Sequence, residues 1–454
     1  MKPPIESILI KPFASITEAM EVIQQHGTRG VFVCDEDGGL LGIVQDADIR
    51  RAILKHRSLD ISVRTIMKTT PFTISATLSP GKRKQAFVQS GKLLVPVVNV
   101  SNQVVDYLYP IDITADSLKT VQTEQGVFPP SQVLIVGGAG YIGAPLVERM
   151  LQMGYKVRAF DLLLYDSRTL DEFKDNKNFE FVRGDCRDTE LLEQVLQGVE
   201  AVVHLGEIVG DPACSVNEDF TIDTNYMATA RLVEACVKLG VPRFVFTSSC
   251  SVYGQNDEMV DEESELNPVS LYARCKIECE RVIMQSQYEH FCPTILRLST
   301  VHGLSQRQRF DLVVNLLAIK GLAEGKIQIF GGDQWRPFIS VKDICRGIIS
   351  VLQAPRAKVD HQVFNLGDGR ENFTINQVGD ILKELLPQVE IERPEGVDDQ
   401  RNYRVCFDKI RNQLGFACEY TVADTIRDLI RAFREQGLFQ DYTDPKYSNV
   451  MTLK

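Results

Sequence analysis

The 454-residue chain contains no apolar run approaching ~18 residues, so no membrane-spanning helix is expected. Its first residues, MKPPIESILIKPF, lack the apolar stretch of a secretory leader. There is no long basic run and the formal charge is −11, which argues against a nucleic acid or an acidic membrane as partner. The 11 cysteines are scattered, odd in number and form no C-x-x-C pair. They are expected to be reduced thiols in the cytoplasm rather than a disulfide framework. Cys275 and Cys279 share a helix face but have no second ligand pair, so they read as small buried residues and no metal site is expected.

What is present is globular: 44% hydrophobic and 24% charged residues, with length for about three domains at ~150 residues each. An internal repeat fills the first part. VFVCDEDGGLLGIVQDADI (31–49) aligns without a gap on VPVVNVSNQVVDYLYPIDI (95–113), at an offset of 64. Each copy predicts a strand, a polar turn, a strand and the start of a helix, so two small α+β units packed on each other are expected. A polar segment ending in Pro129-Pro130 has linker character. Beyond it, apolar strand-like runs alternate with helical stretches: QVLIVGG, YKVRAFD, FEFVRGD, EAVVHLG, RFVFTSS and PTILRLS. This pattern predicts an α/β domain, a doubly wound parallel sheet covered on both faces.

The first of these strands runs into VLIVGGAGYIG, where Gly137, Gly140 and Gly143 are spaced G-x-x-G-x-x-G before a helix. Glycine allows the tight turn and close approach to a pyrophosphate, and the helix N-terminus offers unpaired N–H groups to it. Asp161 ends the next strand, 18 residues after Gly143. A carboxylate there accepts from ribose hydroxyls and repels a 2′-phosphate. Leu162 follows it rather than an arginine, which favours NAD over NADP. The candidate cofactor residues here are Gly137, Gly140, Tyr141, Ile142, Gly143 and Asp161.

In SLYARCK, Tyr272 and Lys276 share one face of a predicted helix. A free tyrosine titrates near ~10, so a base working at neutral pH needs its anion stabilised by roughly 4 kcal/mol. A neighbouring ammonium and a positive nicotinamide ring supply that electrostatically. The pair lies 23 residues after Ser249, in FTSSCSVYG.

Two resemblances follow from these motifs. GIVQDADIRRAIL (42–54) resembles the cystathionine-β-synthase (CBS) domain, with Gly42, Asp48, Ile49 and Arg50 on its pattern. It implies an adenine nucleotide, AMP or ATP, with Asp48 on the ribose and Arg50 facing phosphate. Gln45 replaces the usual Thr or Ser. In the second copy Asp112 remains, Thr114 replaces the arginine and Pro110 enters the loop, so that copy reads as degraded. The other reading is a pair that only mediates dimerisation, with Asp48 capping its helix.

From residue 131 onward the chain resembles the extended short-chain dehydrogenase/reductases, in the UDP-galactose 4-epimerase-like branch. This implies a Rossmann-type NAD-binding sheet with a small C-terminal subdomain for a nucleotide-sugar. Asp185 and Cys186 of RGDCRD take the family's place beside the adenine, and Leu205 follows its fourth strand. Aligned on Tyr253-Gly254, Ser249 takes the catalytic hydroxyl position, with Tyr272 as base and Lys276 tuning it. Ser248 and Ser251 are left to cap or satisfy the loop. Cys250 and Ser251 stand where the family's 4,6-dehydratases carry an Asp-Glu pair. RPFISVKD resembles the segment whose arginine, here Arg336, meets the diphosphate; Ser340 replaces its histidine, and Arg401 is a second candidate. Thr300 stands where relatives often have Asn and His302 where they have Tyr. Glu207 replaces an alanine, either to bind a substrate hydroxyl or amine or simply as an exposed residue. His204 reads as a packed strand residue.

The expected layout is a tandem CBS pair at 1–117, a linker at 118–130, the dehydrogenase-like domain at 131–440 and a C-terminal tail at 441–454. The expected protein is a homodimer or larger homo-oligomer: an NAD-dependent nucleotide-sugar epimerase acting at C4 in surface-glycan synthesis. An NAD(P)H-dependent ketoreductase and a non-catalytic NAD or adenylate sensor are the alternatives.

Overall fold

The computed structural model describes residues 3–26, 28–55, 58–90, 92, 94–109, 130–165, 168–394 and 401–453. It divides into two compact units, Met1–Gln125 and Gly126–Lys454. The first holds two copies of one motif, each a short strand in parallel with a hairpin. Leu9–Ile10 pairs in parallel with Gly30–Cys34, which pairs antiparallel with Leu40–Gln45; Ile74–Ser75 pairs in parallel with Val95–Val98, which pairs antiparallel with Val104–Leu108. The ladder slips between Val33 and Cys34 in one hairpin and between Val97 and Val98 in the other, the same place 64 residues on. The two turns bond reciprocally: Leu40 N–H donates to the Asn102 carbonyl at 2.9 Å, and Val104 N–H to the Gly38 carbonyl at 3.1 Å. The repeat is thus a pseudo-twofold pair. Pro110, Asp112, Thr114 and the linker up to residue 129 lie outside the described residues.

Asp48 and Arg50 are buried. Asp48 forms a capping box with Gln45 at the start of helix Asp46–Leu54, accepting the Gln45 N–H at 3.0 Å, and lies 3.8 Å from the Lys68 ammonium. Arg50 Nε donates to Asp46 Oδ2 at 2.6 Å.

The second unit is built on β1 (Gln132–Val136), α1 (Gly143–Gln152), β2 (Lys156–Asp161), β3 (Phe179–Arg183), β4 (Ala201–His204), α2 (Ala228–Leu239), β5 (Arg243–Ser249), α3 (Leu271–Met284), β6 (Cys292–Leu298), α4 (Val341–Gln353) and β7 (Gln362–Leu366). The strands form one sheet in the order β7-β6-β5-β4-β1-β2-β3, every neighbour parallel. β4 and β6 are buried along their whole length, as a sheet covered on both faces requires. The strand order reverses between β1 and β4, and a crevice opens outside their carboxyl ends. A second core, around Phe338 and Leu382, joins the helices Val313–Ala323, Ile375–Leu385 and Val422–Arg434 into the smaller subdomain. Ser340, where the resemblance has histidine, caps α4 by accepting the Lys342 N–H at 3.3 Å.

The stretch 441–454, read as a tail, ends in the short helix Asn449–Leu453, and that helix is docked. Val450 and Leu453 pack on the cluster of Ile208, Ala213, Cys214 and Tyr272. The Asn449 amide donates to the Val209 carbonyl at 3.1 Å, and its backbone N–H to Asp311 at 2.9 Å. Scattered apolar residues too few to show a period are buried here by the partner they meet.

Candidate active site

The crevice between β1 and β4 holds a pocket. Gly137, Gly140, Asp161, Asp185, Cys186 and Leu205 line it, and Glu207 and Thr224 stand in its wall. Gly137 has φ +84°, and a Cβ there would meet Gly206 N at 2.7 Å, so the β1 turn and the β4 loop approach as closely as backbone allows. A Cβ at Gly143 would fall 2.1 Å from the Gly137 carbonyl, which explains the third glycine. Gly143 and Ile142 begin α1, and Tyr141 is buried with its hydroxyl donating to the Gly303 carbonyl at 2.6 Å. The Tyr141 side chain therefore holds the turn, and only the backbone of this stretch faces a ligand.

Asp161 ends β2 with both oxygens on backbone: Oδ2 accepts Ala139 N–H at 3.0 Å and Oδ1 accepts Leu163 N–H at 2.8 Å. Burial raises its carboxyl, with those two bonds opposing. Sequence order offered no arginine near Asp161, but Arg307 is brought close enough to pull that carboxyl down, and its guanidinium lies 4.2 Å from the Tyr165 ring centroid. Asp185 is held below the ordinary carboxylate range, chiefly by its bonds from Arg187. The Cys186 thiol is pushed up to about 12 by burial and is a wall, not a nucleophile. The donor set fits a dinucleotide: a glycine turn at a helix N-terminus for the pyrophosphate, and a carboxylate beside the ribose position.

On the far side, α3 packs against the end of β5 and the turn Cys250–Tyr253. Tyr272 is buried. Its phenol is pushed up to about 12 by burial; Lys276 pulls it down and Glu207 pushes it up again. The Lys276 ammonium lies 5.6 Å from the Tyr272 ring centroid and donates to the Thr247 carbonyl and to Glu207. Burial pulls Lys276 down, but Glu207 and Tyr272 outweigh it, so the ammonium is retained. Glu207 is therefore not exposed. Its side chain is 2% accessible and ion-paired, and Oε1 has no partner among the described residues. Its loop is clamped by Asn225, whose amide accepts the Ile208 N–H and donates to the Ile208 carbonyl, both at 2.8 Å.

Ser249 itself caps the turn, accepting Ser251 N–H at 3.1 Å. Ser248 donates to Glu280, and the buried Ser251 hydroxyl has no partner among the described residues. Behind them Arg297 binds Glu280 through Nη2 at 2.8 Å and Tyr253 through Nη1 at 2.9 Å, and Tyr253 donates to Asn365 at 2.7 Å. Cys250 is buried with its thiol on the Arg297 carbonyl, and burial raises it far above neutrality.

Of the phosphate candidates, Arg401 pairs with Asp211 at 3.0 Å; Asp211 also accepts from Ser270 at 2.6 Å, the cap of α3. Arg336 is buried, its Nη1 donating to the Trp335 and Arg401 carbonyls, with its guanidinium 5.5 Å from the Tyr403 ring centroid. Thr300 opens the strand Thr300–His302, half-buried. His302 bonds Thr425 at 2.8 Å and His204 bonds Thr229 at 2.8 Å; burial pushes both down to about 3, as packed neutral imidazoles.

A family model described as the NAD dependent epimerase/dehydratase family matches residues 133–367, over half of the chain. The chain belongs to that family. A CBS domain model matches residues 1–55. Among curated proteins, the chain is 28% identical to a dTDP-glucose 4,6-dehydratase of Streptomyces niveus, over 67% of this chain and 93% of that one. It is 31% identical to a UDP-glucuronate 4-epimerase of Thermodesulfobacterium geofontis, over 56% and 80%. Among solved structures, the UDP-glucuronic acid 4-epimerase of Bacillus cereus, in complex with UDP-glucuronic acid and NAD, matches with TM-score 0.60 at 26% identity, over 66% of this chain and 99% of that one. Among the described residues, no helix is long and apolar enough to cross a membrane, and all 11 cysteines are free.

Proposed function

We propose that this family member is an NAD-dependent nucleotide-sugar epimerase acting at C4, feeding surface-glycan or related sugar synthesis. The observation that carries the reading is the loop after β5. It keeps a hydroxyl at Ser249, capping a turn that packs on the Tyr272–Lys276 helix, but offers no acid–base pair for removing water. Cys250 is a buried thiol held on the Arg297 carbonyl, and Ser251 is a neutral hydroxyl. NAD, when bound, supplies a reversible hydride acceptor. Gly137, Gly140, Asp161, Asp185, Cys186 and Leu205 would hold it, through the α1 N-terminus and the ribose carboxylate. Ser249 orients the reacting sugar oxygen, and Tyr272 takes its proton and later returns one. The keto-sugar turns over inside the pocket before the carbon is reduced on its other face. Arg336 and Arg401 serve the diphosphate, and Thr300 lies on the sugar side. In the bare protein the Tyr272 phenol stands at about 12, some five pH units above neutrality, or roughly 7 kcal/mol. Lys276 already acts within that value, so what remains falls to a bound positive nicotinamide, and the base is switched on by cofactor binding.

For the first unit, the engagement of Asp48 in helix capping and of Arg50 in an ion pair with Asp46 supports assembly over adenylate sensing. The test of the catalytic reading is Tyr272→Phe. It should lower turnover by about 10²–10⁴-fold while dinucleotide binding persists. Full activity in that variant rejects the reading. Consumption of NADPH with keto-sugar nucleotides, without conversion between epimers, would favour the ketoreductase.

A further inference from the structure

Glu207 is a carboxylate where catalysis by Tyr272, Lys276 and Ser249 has no use for one. It sits on the loop after β4, in the wall of the dinucleotide pocket, with its side chain 2% accessible. One oxygen binds the Lys276 ammonium; the other, Oε1, is buried without a partner among the described residues. A buried acceptor left unmatched is costly, so the site is built for a donor that arrives with a ligand. Lys276 has three donors, and Thr247 O and Glu207 take two of them. A single donor remains for anything entering the pocket.

We propose that Glu207 is a positioning residue for the hydride-transfer site: it fixes the Lys276 ammonium, offers Oε1 to a hydroxyl or amide donor on the nicotinamide half of the cofactor, and biases the site toward the oxidised, positively charged form. The inference rests on Tyr272 and Lys276 being the catalytic pair. Its physical basis is charge. A carboxylate beside the ring favours the cation over the neutral dihydro form, and it cancels much of the field by which Lys276 would acidify Tyr272. The groups that face this pair are few. Cys275 and Cys279 lie on α3, Asp211 and Cys214 on the segment Asp211–Cys214, Cys186 after β3 and His204 on β4. The four cysteines here are neutral thiols, raised by burial, and His204 is a neutral imidazole; burial raises Glu207 as well, with the Lys276 ammonium opposing, so the charges acting on Tyr272 are the Lys276–Glu207 ion pair and, more weakly, Asp211.

The experiment is calorimetric binding of NAD and of NADH, without substrate, to the intact protein and to Glu207→Gln. A tyrosinate absorbance titration of each, against Tyr272→Phe, runs beside it. The preference for NAD over NADH should fall at least roughly tenfold in Glu207→Gln, and the Tyr272 titration should move down by about one pH unit. If both are unchanged while NAD binds and Tyr272→Phe is inactive, the Glu207 proposal alone is overturned. If neither dinucleotide binds, or Tyr272→Phe is fully active, the catalytic reading fails and takes this proposal with it. Should Glu207→Gln not fold, Glu207→Asp carries the test: the charge stays, the reach shortens. Part of the NAD preference should then be lost with the Tyr272 titration held, and a wild-type preference overturns the proposal.

Discussion

Glu371 shows what burial does to a single carboxyl in this protein. Burial pushes it up to about 7, while its Oε2 accepts the Val422 N–H at 2.9 Å at the head of helix Val422–Arg434. An unfolded glutamate titrates near ~4.3. A folded pKa above the unfolded one means that stability is complete below ~4.3 and is lost as pH rises to about 7, roughly 4 kcal/mol in all. Glu371→Gln keeps an acceptor for Val422 and has nothing to ionise. Its melting temperature relative to wild type should therefore rise between about pH 5 and pH 8; a flat difference would mean the carboxylate ionises freely in the fold. At this scale the sequence was legible where one helix turn or one strand end decides. Tyr272 and Lys276 share a face because they are four apart, and Asp161 lies at the pocket because it ends a strand. The partner of Lys276 lies 69 residues away, and no local pattern announces it. Nor does spacing say which serine of Ser248-Ser249-Cys250-Ser251 caps the turn; the extended backbone at Ser249 makes that choice.

Elements were easier to read than their docking. Six apolar runs predict strands, and a seven-stranded parallel sheet contains all six; its remaining strand, β7, is not among those runs. The tail was not readable, because Asn449–Leu453 is too short to carry a helical period and is defined by what it covers. The consequence is testable. Deleting residues after Ser448 removes Val450 and Leu453 from the cluster that buries Tyr272, and removes the Asn449 bonds to Val209 and Asp311. Hydrogen exchange over residues 208–214 should then quicken by on the order of tenfold, the equivalent of about 1.4 kcal/mol of local stability. The β1–β4 crevice, held by Gly137, Gly206 and Asn225, should keep its protection. Unchanged exchange at 208–214 would mean that the helix lies on the site without supporting it.

At the scale of the whole molecule, each unit has cores of its own among the described residues. Every residue of the clusters around Phe32, Val44 and Val97 comes from the first, and every residue of those around Ile135, Phe338 and Tyr272 from the second. A core that draws on no foreign residue melts by its own balance of burial and chain entropy, so the intact chain should unfold in two transitions rather than one. Gly126–Lys454 made alone should reproduce one of them within a few degrees, measured by calorimetry. The repeat predicted strand, turn and strand in each copy of the first unit; the reciprocal bonds between the two turns are long-range contacts that no local pattern announces. Its role was less legible, since the capping acid and the ribose-binding acid are the same residue type at the same place. If Asp48 serves the helix, AMP or ATP should leave both transitions where they are, and removing residues 1–125 should lower the mass of the assembly in sedimentation. A nucleotide-dependent rise in the transition absent from Gly126–Lys454 would instead make the first unit a sensor. Its ligand would then have to displace Lys68 from beside Asp48 or bind around the pair.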